Sequence, residues 1–332
     1  MFKYLSNIVT SRNPNLIYLQ ILLFLAIILL VFYIYKVTES PLKKKQREQE
    51  GFHQEQPYVL KIDDDIYDDF FVEMYDGVND RNKNCQKELY QIIKISEPSK
   101  NNSVFLDVGS GTGCVLNELV NAGYDAYGID KSKAMIKYSE TAYPNISTIK
   151  GNVLDPMTYE NGTFTHVLCL NFTIYEFSNK SQFFSNCYHW MKPNAYLIVH
   201  LVNPKKFSVK KYIKNQGMIT TLFDGLLPET DNVERKTSTS VDFDDCNYEE
   251  KYEFLDKNGK TGKNDPNVLF TQVFTDKLSK SVRQNEQNLK MESIDEILDM
   301  AKHTGFIVHA KTAMKALNGD DNQYLYVLER TM

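Results

Sequence analysis

Residues 104–113 read VFLDVGSGTG, and this stretch constrains the chain more than any other. Val104, Phe105, Leu106 and Val108 form an apolar run of the length of one buried strand. Gly109, Gly111 and Gly113 follow at alternate positions, and an amphipathic helical pattern begins at once, with Val115, Leu116, Leu119 and Val120 on one face. A strand, a tight glycine turn and a helix N-terminus make the front half of a nucleotide-binding βαβ unit. Without a Cβ, Gly109 and Gly111 let the backbone turn sharply and let a ligand approach it. The helix turns its free N–H groups and positive dipole end towards that ligand. Dinucleotide folds space their glycines G-x-G-x-x-G. Here the spacing is G-x-G-x-G, and Asp107 sits in the strand two residues before the first glycine. A carboxylate there repels a pyrophosphate and can pair with an ammonium group.

A second strand-like run, 126–129, ends at Asp130. The interval of about twenty residues is where Rossmann-like folds put an acid to accept hydrogen bonds from ribose hydroxyls. This identifies a nucleoside and leaves its chemistry open.

The stretch 106–113 resembles motif I of the class I S-adenosylmethionine (SAM)-dependent methyltransferases, L-[DE]-[VIL]-G-[CS]-G-T-G, at every position. GIDKSKAMI at 128–136 resembles the family's G-[IV]-D-x-S-x-x-M-[IL], with Ser132 placed as a helix N-cap. WMKPNAYL at 190–197 resembles its W-L-K-P-G-G-x-L, with Asn194 and Ala195 in place of the glycines. The resemblance implies an α/β, Rossmann-like fold over residues 58–330, built on a seven-stranded mixed sheet whose last strand runs antiparallel. It implies SAM as cofactor, held by Asp107, Gly109, Ser110, Gly111, Gly113, Asp130 and Asn171. Asn152 and Val153 stand where the family usually has G-D-[AVIL], an acid for the adenine amine and an apolar residue for the ring. The Asn152 amide oxygen can accept the same bond, or it can simply hold a turn. Methyltransferases of this class often place a helix with a Y-D element as a lid before motif I. Tyr67 and the pair Tyr75 and Asp76 resemble that element, and an ordinary packing helix is the alternative. The arrangement FTIYEF, WMKP and HLVNP also resembles methyltransferases of large DNA viruses.

The remaining pattern suits the same fold. Ile66, Phe70, Phe71 and Met74 are spaced as one amphipathic helix within 58–75, and 85–95 reads as a second. Residues 147–150 and 165–170 read as strands, 181–191 as a helix, 192–194 as a turn and 195–202 as a strand. Residues 203–290 break the alternation, with strand-like runs at 241–254, 269–274 and 282–289 around a turn-rich loop, 255–267. They read as an insertion, in a position that in this family usually holds a substrate-recognition cap. Ser293 and Glu296 open a helix with a capping box, Gly305 ends it, and 306–311 and 324–328 form a hairpin around Asn318 and Gly319.

A sulfonium methyl is already electrophilic. Orientation and desolvation supply about 7–11 kcal/mol in such a transfer, and a general base about 10²–10⁴-fold. Positioning dominates, so no conspicuous catalytic residue is required. The candidates for a base, all near the sheet's carboxyl edge, are His200, Tyr175 and Glu176, and Asn171 can orient a nitrogen acceptor. No Asn-Pro-Pro-Tyr element is present. The expected activity is methyl transfer to an unidentified small molecule, lipid or protein. The alternatives are a non-catalytic SAM-binding membrane scaffold and a nicotinamide-dependent oxidoreductase, the latter opposed by the glycine spacing and Asp107.

Residues 16–36 are apolar but for Gln20, the tyrosines and Lys36, and a helix of that length spans the roughly 30 Å hydrocarbon layer of a bilayer. They are read as a transmembrane helix after a 1–15 tail, and 37–57 as a charged tether to the domain. Lys36, Lys43, Lys44, Lys45 and Arg47 outnumber Lys3 and Arg12, which places the C-terminal side in the cytosol. The net charge of −5 carries no basic stripe for nucleic acid. Five scattered cysteines without a C-x-x-C pair give no metal-ligand spacing and no disulfide framework, as in a reducing compartment.

Overall fold

The computed structural model describes residues 18, 20–22, 24–34, 56–79, 81–207, 237–255, 266–318 and 320–332. Those at 18, 20–22 and 24–34 are helical. Among the described residues no helix is long and apolar enough to cross a membrane. Both ends of the expected 16–36 span, the 1–15 tail and nearly all of the tether lie outside them. Residues 1–55 fall in one unit and 56–332 in another.

The second unit opens with β1 (Tyr58–Ile62), a 3-10 turn (Asp63–Ile66), α1 (Asp69–Val78) and α2 (Arg81–Ser96). The half that contains the glycine turn follows as β2 (Val104–Val108), α3 (Cys114–Asn121), β3 (Asp125–Asp130), α4 (Lys133–Ala142) and β4 (Ser147–Lys150). Then come β5 (Phe164–Cys169), α5 (Thr173–Glu176), α6 (Lys180–Trp190) and β6 (Met191–Val202). The insertion supplies β7 (Ser238–Asp242), β8 (Cys246–Phe254), β9 (Asn267–Asp276) and β10 (Val282–Lys290). The chain closes with α7 (Ile294–Thr304), β11 (Phe306–Ala313), α8 (Lys315–Asn318) and β12 (Gln323–Arg330).

Seven strands make the larger sheet, in the order β11-β12-β6-β5-β2-β3-β4. β2 pairs in parallel with both β3 and β5, whereas β12 runs antiparallel to both β6 and β11. Phe105, Leu106, Val167, Leu168, Leu197 and Ile198 are fully buried, as strands covered on both faces require. Helices cap cleanly where the sequence marks them. Ser132 accepts from the Met135 N–H, Ser293 and Glu296 close a capping box, and Gly305 ends α7 in a left-handed conformation.

Three local expectations change. The stretch 58–75 is not one helix, because Tyr58–Ile62 pairs in parallel with β10 and only Asp69 onward is α-helical. The partner strand lies some 220 residues away in sequence, beyond the reach of local periodicity. The turn expected at 192–194 is instead part of β6, with a register shift against β5 and Asn194 at a positive φ of 61°. A bulge there leaves Pro193 without a ladder bond to donate. Finally, Cys85 and Cys114 form a disulfide between α2 and α3, against the expectation of free thiols, while Cys169, Cys187 and Cys246 stay reduced and buried. The packing of α2 on α3 brings together two cysteines whose sequence spacing carries no signal.

β1, β10, β9, β8 and β7 form a second sheet in that order. It joins the start of the domain to the insertion. Its rows of paired residues put Tyr248, Phe274 and Arg283 side by side, then Glu250, Gln272 and Asn285, then Tyr252, Phe270 and Gln287. The loop expected at 255–267 lies mostly outside the described residues.

Candidate active site

The glycine turn lies at the carboxyl end of β2. Its N–H groups at Gly109 and Ser110 bond to the Ile129 carbonyl of the neighbouring strand. Gly109, Gly111 and Gly113 all have positive φ (66°, 53° and 82°), a region that L side chains rarely adopt. A Cβ on Gly109 would meet the Thr173 side chain at 2.7 Å, so this glycine lets α5 pack against the turn. A Cβ on Gly111 would meet nothing closer than 3.9 Å, from the Gly109 carbonyl oxygen and the Tyr75 ring. Those are ordinary van der Waals distances, so it is the positive φ that calls for glycine at this position, and the cleft opens beside the turn.

Tyr75, Arg81, Asp107, Gly109, Thr112 and Asn171 are among the residues lining the cleft there. Asp107 is buried, and that burial pushes its carboxyl up to about 7 despite the nearby Arg81 guanidinium. Asp130 accepts from the Gly111 N–H at 2.9 Å and the Ser132 N–H at 2.8 Å. Each of its oxygens keeps a lone pair for a sugar hydroxyl. Burial raises its pKa, and these backbone bonds lower it in turn. The residues present fit SAM: a side-chain-free turn, a carboxylate for an ammonium, and a second one for a ribose.

Among the other expected cofactor residues, Ser110 is buried with no hydrogen-bond partner for its hydroxyl. Gly113 caps α3. Asn152 uses its side-chain oxygen to accept from the Leu154 N–H at 3.0 Å, which is the turn-holding role. Val153 is buried beside it. Asn171 and Phe172 both take left-handed conformations, φ 51° and 67°. Each costs about 1–3 kcal/mol in a residue with a side chain. The bend carries the chain from β5 into α5 with Asn171 in the cleft wall.

The three candidate bases separate. Tyr175 is fully buried, and its hydroxyl accepts from the Val202 N–H at 2.8 Å. His200 is 3% exposed, paired with Gln323 at 3.1 Å, and burial holds its imidazole down at about 4. Both serve the interior. Glu176 is exposed, at the end of the short helix that begins at Thr173, yet enough protein surrounds it that lost hydration raises its carboxyl to about 7.

Of the positions expected to form a lid, Tyr75 lines the cleft, and Asp76 and Tyr67 are hydrogen-bonded to the body of the fold. The Thr112 hydroxyl donates to Asp76 at 2.6 Å, and Tyr67 donates to Glu176 at 2.9 Å. Asp68 caps α1 by accepting from Phe71 N–H. Arg81, Tyr252 and Gln287 were not marked by the sequence. Arg81 opens α2 and lies buried at the cleft, ion-paired with Glu88 at 2.9 Å. A single arginine in a polar helix gives no pattern to read. Among the described residues, no group of His, Cys, Asp or Glu is arranged to hold a metal ion.

Residues 106–199 match the methyltransferase-domain family model. They run from β2 into β6 and contain the glycine turn, Asp130 and the α5 region. No curated protein matches the chain by sequence. The CcbJ methyltransferase from Streptomyces caelestis superposes with a TM-score of 0.59 at 13% identity, over 80% of this chain and 98% of its own. The sugar N-methyltransferase KedS8 from Streptoalloteichus sp. gives 0.54 at 14%, over 79% and 93%. SAM-bound CalS10 from Micromonospora echinaspora, an amino pentose methyltransferase, gives 0.53 at 15%, over 78% and 97%. At these identities the likeness is one of fold. The shared fold is α/β and Rossmann-like, with a mixed sheet.

Proposed function

We propose that the protein is a SAM-dependent methyltransferase, anchored in a membrane by residues 16–36 with its catalytic domain on the cytosolic side. The observation that carries the catalytic reading is the cleft at the glycine turn, lined by Asp107 and Gly109 with Asp130 bonded to the neighbouring Gly111 N–H, inside the segment that matches the methyltransferase domain. In this reading Asp107 meets the ammonium of the methionine part, Asp130 the ribose, and Arg81 the carboxylate. Bound SAM supplies the electrophilic methyl group. The protein's residues orient the acceptor in line with it and exclude water, under the lid formed by Tyr67, Tyr75 and Asp76. The anchor reading rests on the apolar length of 16–36 and the basic flank after it. The Cys85–Cys114 disulfide removes free thiols as an argument for the cytosol, since such bonds are rare there.

Calorimetry with S-adenosylhomocysteine and NADH tests the cofactor: the homocysteine compound binds and NADH does not. Gly111→Arg abolishes that binding while the domain stays folded, since an L-residue at this φ costs only about 1–2 kcal/mol. Retained binding in the variant overturns the assignment. Release of labelled methyl onto an acceptor fraction separates an enzyme from a scaffold that only binds SAM.

A further inference from the structure

Six side chains from three parts of the chain come together where the segment around α1, the end of β5 and the second sheet converge. Glu176 lies on α5, one helical turn beyond Thr173, which packs on Gly109. Tyr67 precedes α1 and donates to Glu176 at 2.9 Å. Gln287 of β10 donates to the Tyr67 hydroxyl at 3.1 Å, so lid, core and insertion share one hydrogen-bonded chain. Tyr252 of β8 has its ring centroid 6.3 Å from that of Phe172. Tyr75 reaches over the glycine turn. All four rings are half-buried and Glu176 is exposed, so an accessible carboxylate stands beside partly covered aromatic rings.

Its charge is one-sided. Asp64, Asp130 and Glu176 act on one another here. The nearby cations are already engaged: Arg81 with Glu88, Lys180 with Glu292 and Lys131 with Asp64. Burial first, and then the Glu176 charge among other groups, raises the phenols of Tyr67, Tyr75 and Tyr252, so all three stay neutral. Neutral rings around one carboxylate attract a cation through their faces and through its charge.

We propose that the methyl acceptor is a small alkylammonium compound, received by Glu176 among the rings of Tyr67, Tyr75, Phe172 and Tyr252, with Glu176 taking its proton. This rests on the SAM-dependent methyltransferase reading. The ammonium passes one proton to the carboxylate. The freed nitrogen lone pair then forms a bond to the methyl carbon as the carbon–sulfur bond breaks towards sulfur, giving an N-methylammonium product and S-adenosylhomocysteine. Glu176 returns its proton to water. The match in acidity favours this acceptor over an alcohol. An alkylammonium titrates near ~10, about three pH units from a carboxylate at about 7. An aliphatic hydroxyl lies nearer the ~15.7 of water. Tyr67 and Gln287 are positioning residues that aim the carboxylate.

The test uses the full chain in non-ionic detergent, saturated with S-adenosylhomocysteine. The probes are choline and its neutral isostere 3,3-dimethylbutan-1-ol, titrated by calorimetry and ligand-observed NMR. Choline binds about tenfold tighter than the isostere, as a desolvated cation among aromatic rings predicts. Glu176→Gln removes the preference while affinity for S-adenosylhomocysteine stays within about twofold. Choline affinity rises with pH through about 7 in the wild type as Glu176 ionises, and is flat in Glu176→Gln, where Asp64, Asp130 and the three phenols still face the site. Gln287→Leu, which leaves the carboxylate, keeps the preference and shifts that pH midpoint. Equal binding of the two probes, or none of either to the loaded protein, overturns the proposal. Failure of S-adenosylhomocysteine itself to bind overturns the cofactor reading beneath it.

Discussion

Asp107 is buried at the bottom of a cleft, and the cost of hydration lost there sets its behaviour. Its carboxyl sits at about 7 rather than near 4, chiefly through burial, with Glu88 and Asp130 adding to the rise and Arg81 opposing it. An arriving ammonium favours the ionised form and lowers that value. Between the two values binding therefore releases a proton, and affinity for S-adenosylhomocysteine rises with pH up to about 7 and then levels off. Calorimetry in buffers of different ionisation enthalpy checks both the release and its pH window. The same residue weakens the ligand-free fold. Its folded pKa lies above its unfolded one, so the native state holds more protons between about 4 and 7, and stability falls as pH rises through that window. Asp107→Asn is expected to raise the melting temperature of the ligand-free protein at pH 8, by about 2–4 °C for each kcal/mol recovered. The same variant loses affinity for S-adenosylhomocysteine. Asp130 was equally legible, because a strand end and a fixed interval are local features. The role of Asn152 was not, because the choice between adenine contact and turn depends on where the Leu154 N–H points.

At the scale of elements, α2 is tied into the site by one ion pair in a nearly dry setting. Arg81 and Glu88 have side chains only 7% and 5% exposed. Removing one partner leaves the other charge buried, which costs about 3–5 kcal/mol. Glu88→Ala is expected to lower the unfolding free energy by that amount, and Arg81→Met with Glu88→Leu together by much less, in chemical denaturation. Exposed caps set the lower end of the scale. Ser293→Ala removes one side of the α7 capping box and is expected to cost about 1 kcal/mol. The capping box, the glycine at its end and the buried strands were readable because each is encoded within a few residues. β1 was not. Its partner is β10, and only the folded insertion brings the two edges together.

Across the whole molecule, residues 56–332 and residues 1–55 are separate units, so removing the latter should leave the former intact. A 56–332 chain is expected to keep its affinity for S-adenosylhomocysteine within about twofold. On the anchor reading it remains in solution during vesicle flotation while the full chain floats. The second sheet is held to the lid by Arg283, which donates to Asp68 at 2.9 Å, the Ile66 carbonyl at 3.1 Å and Asn285 at 3.0 Å, and lies over the Phe70 ring. By itself the sequence determined the first half of the large sheet: strand, glycine turn, helix and the acid ending the next strand are consecutive, and their backbone demands are local. Only the tertiary structure decided which carboxylate faces the solvent, which histidine and tyrosine are sealed in, and which rings surround Glu176. Those outcomes depend on contacts between segments 100 to 200 residues apart, set by how the insertion folds back over the carboxyl edge, and no spacing along the chain records them.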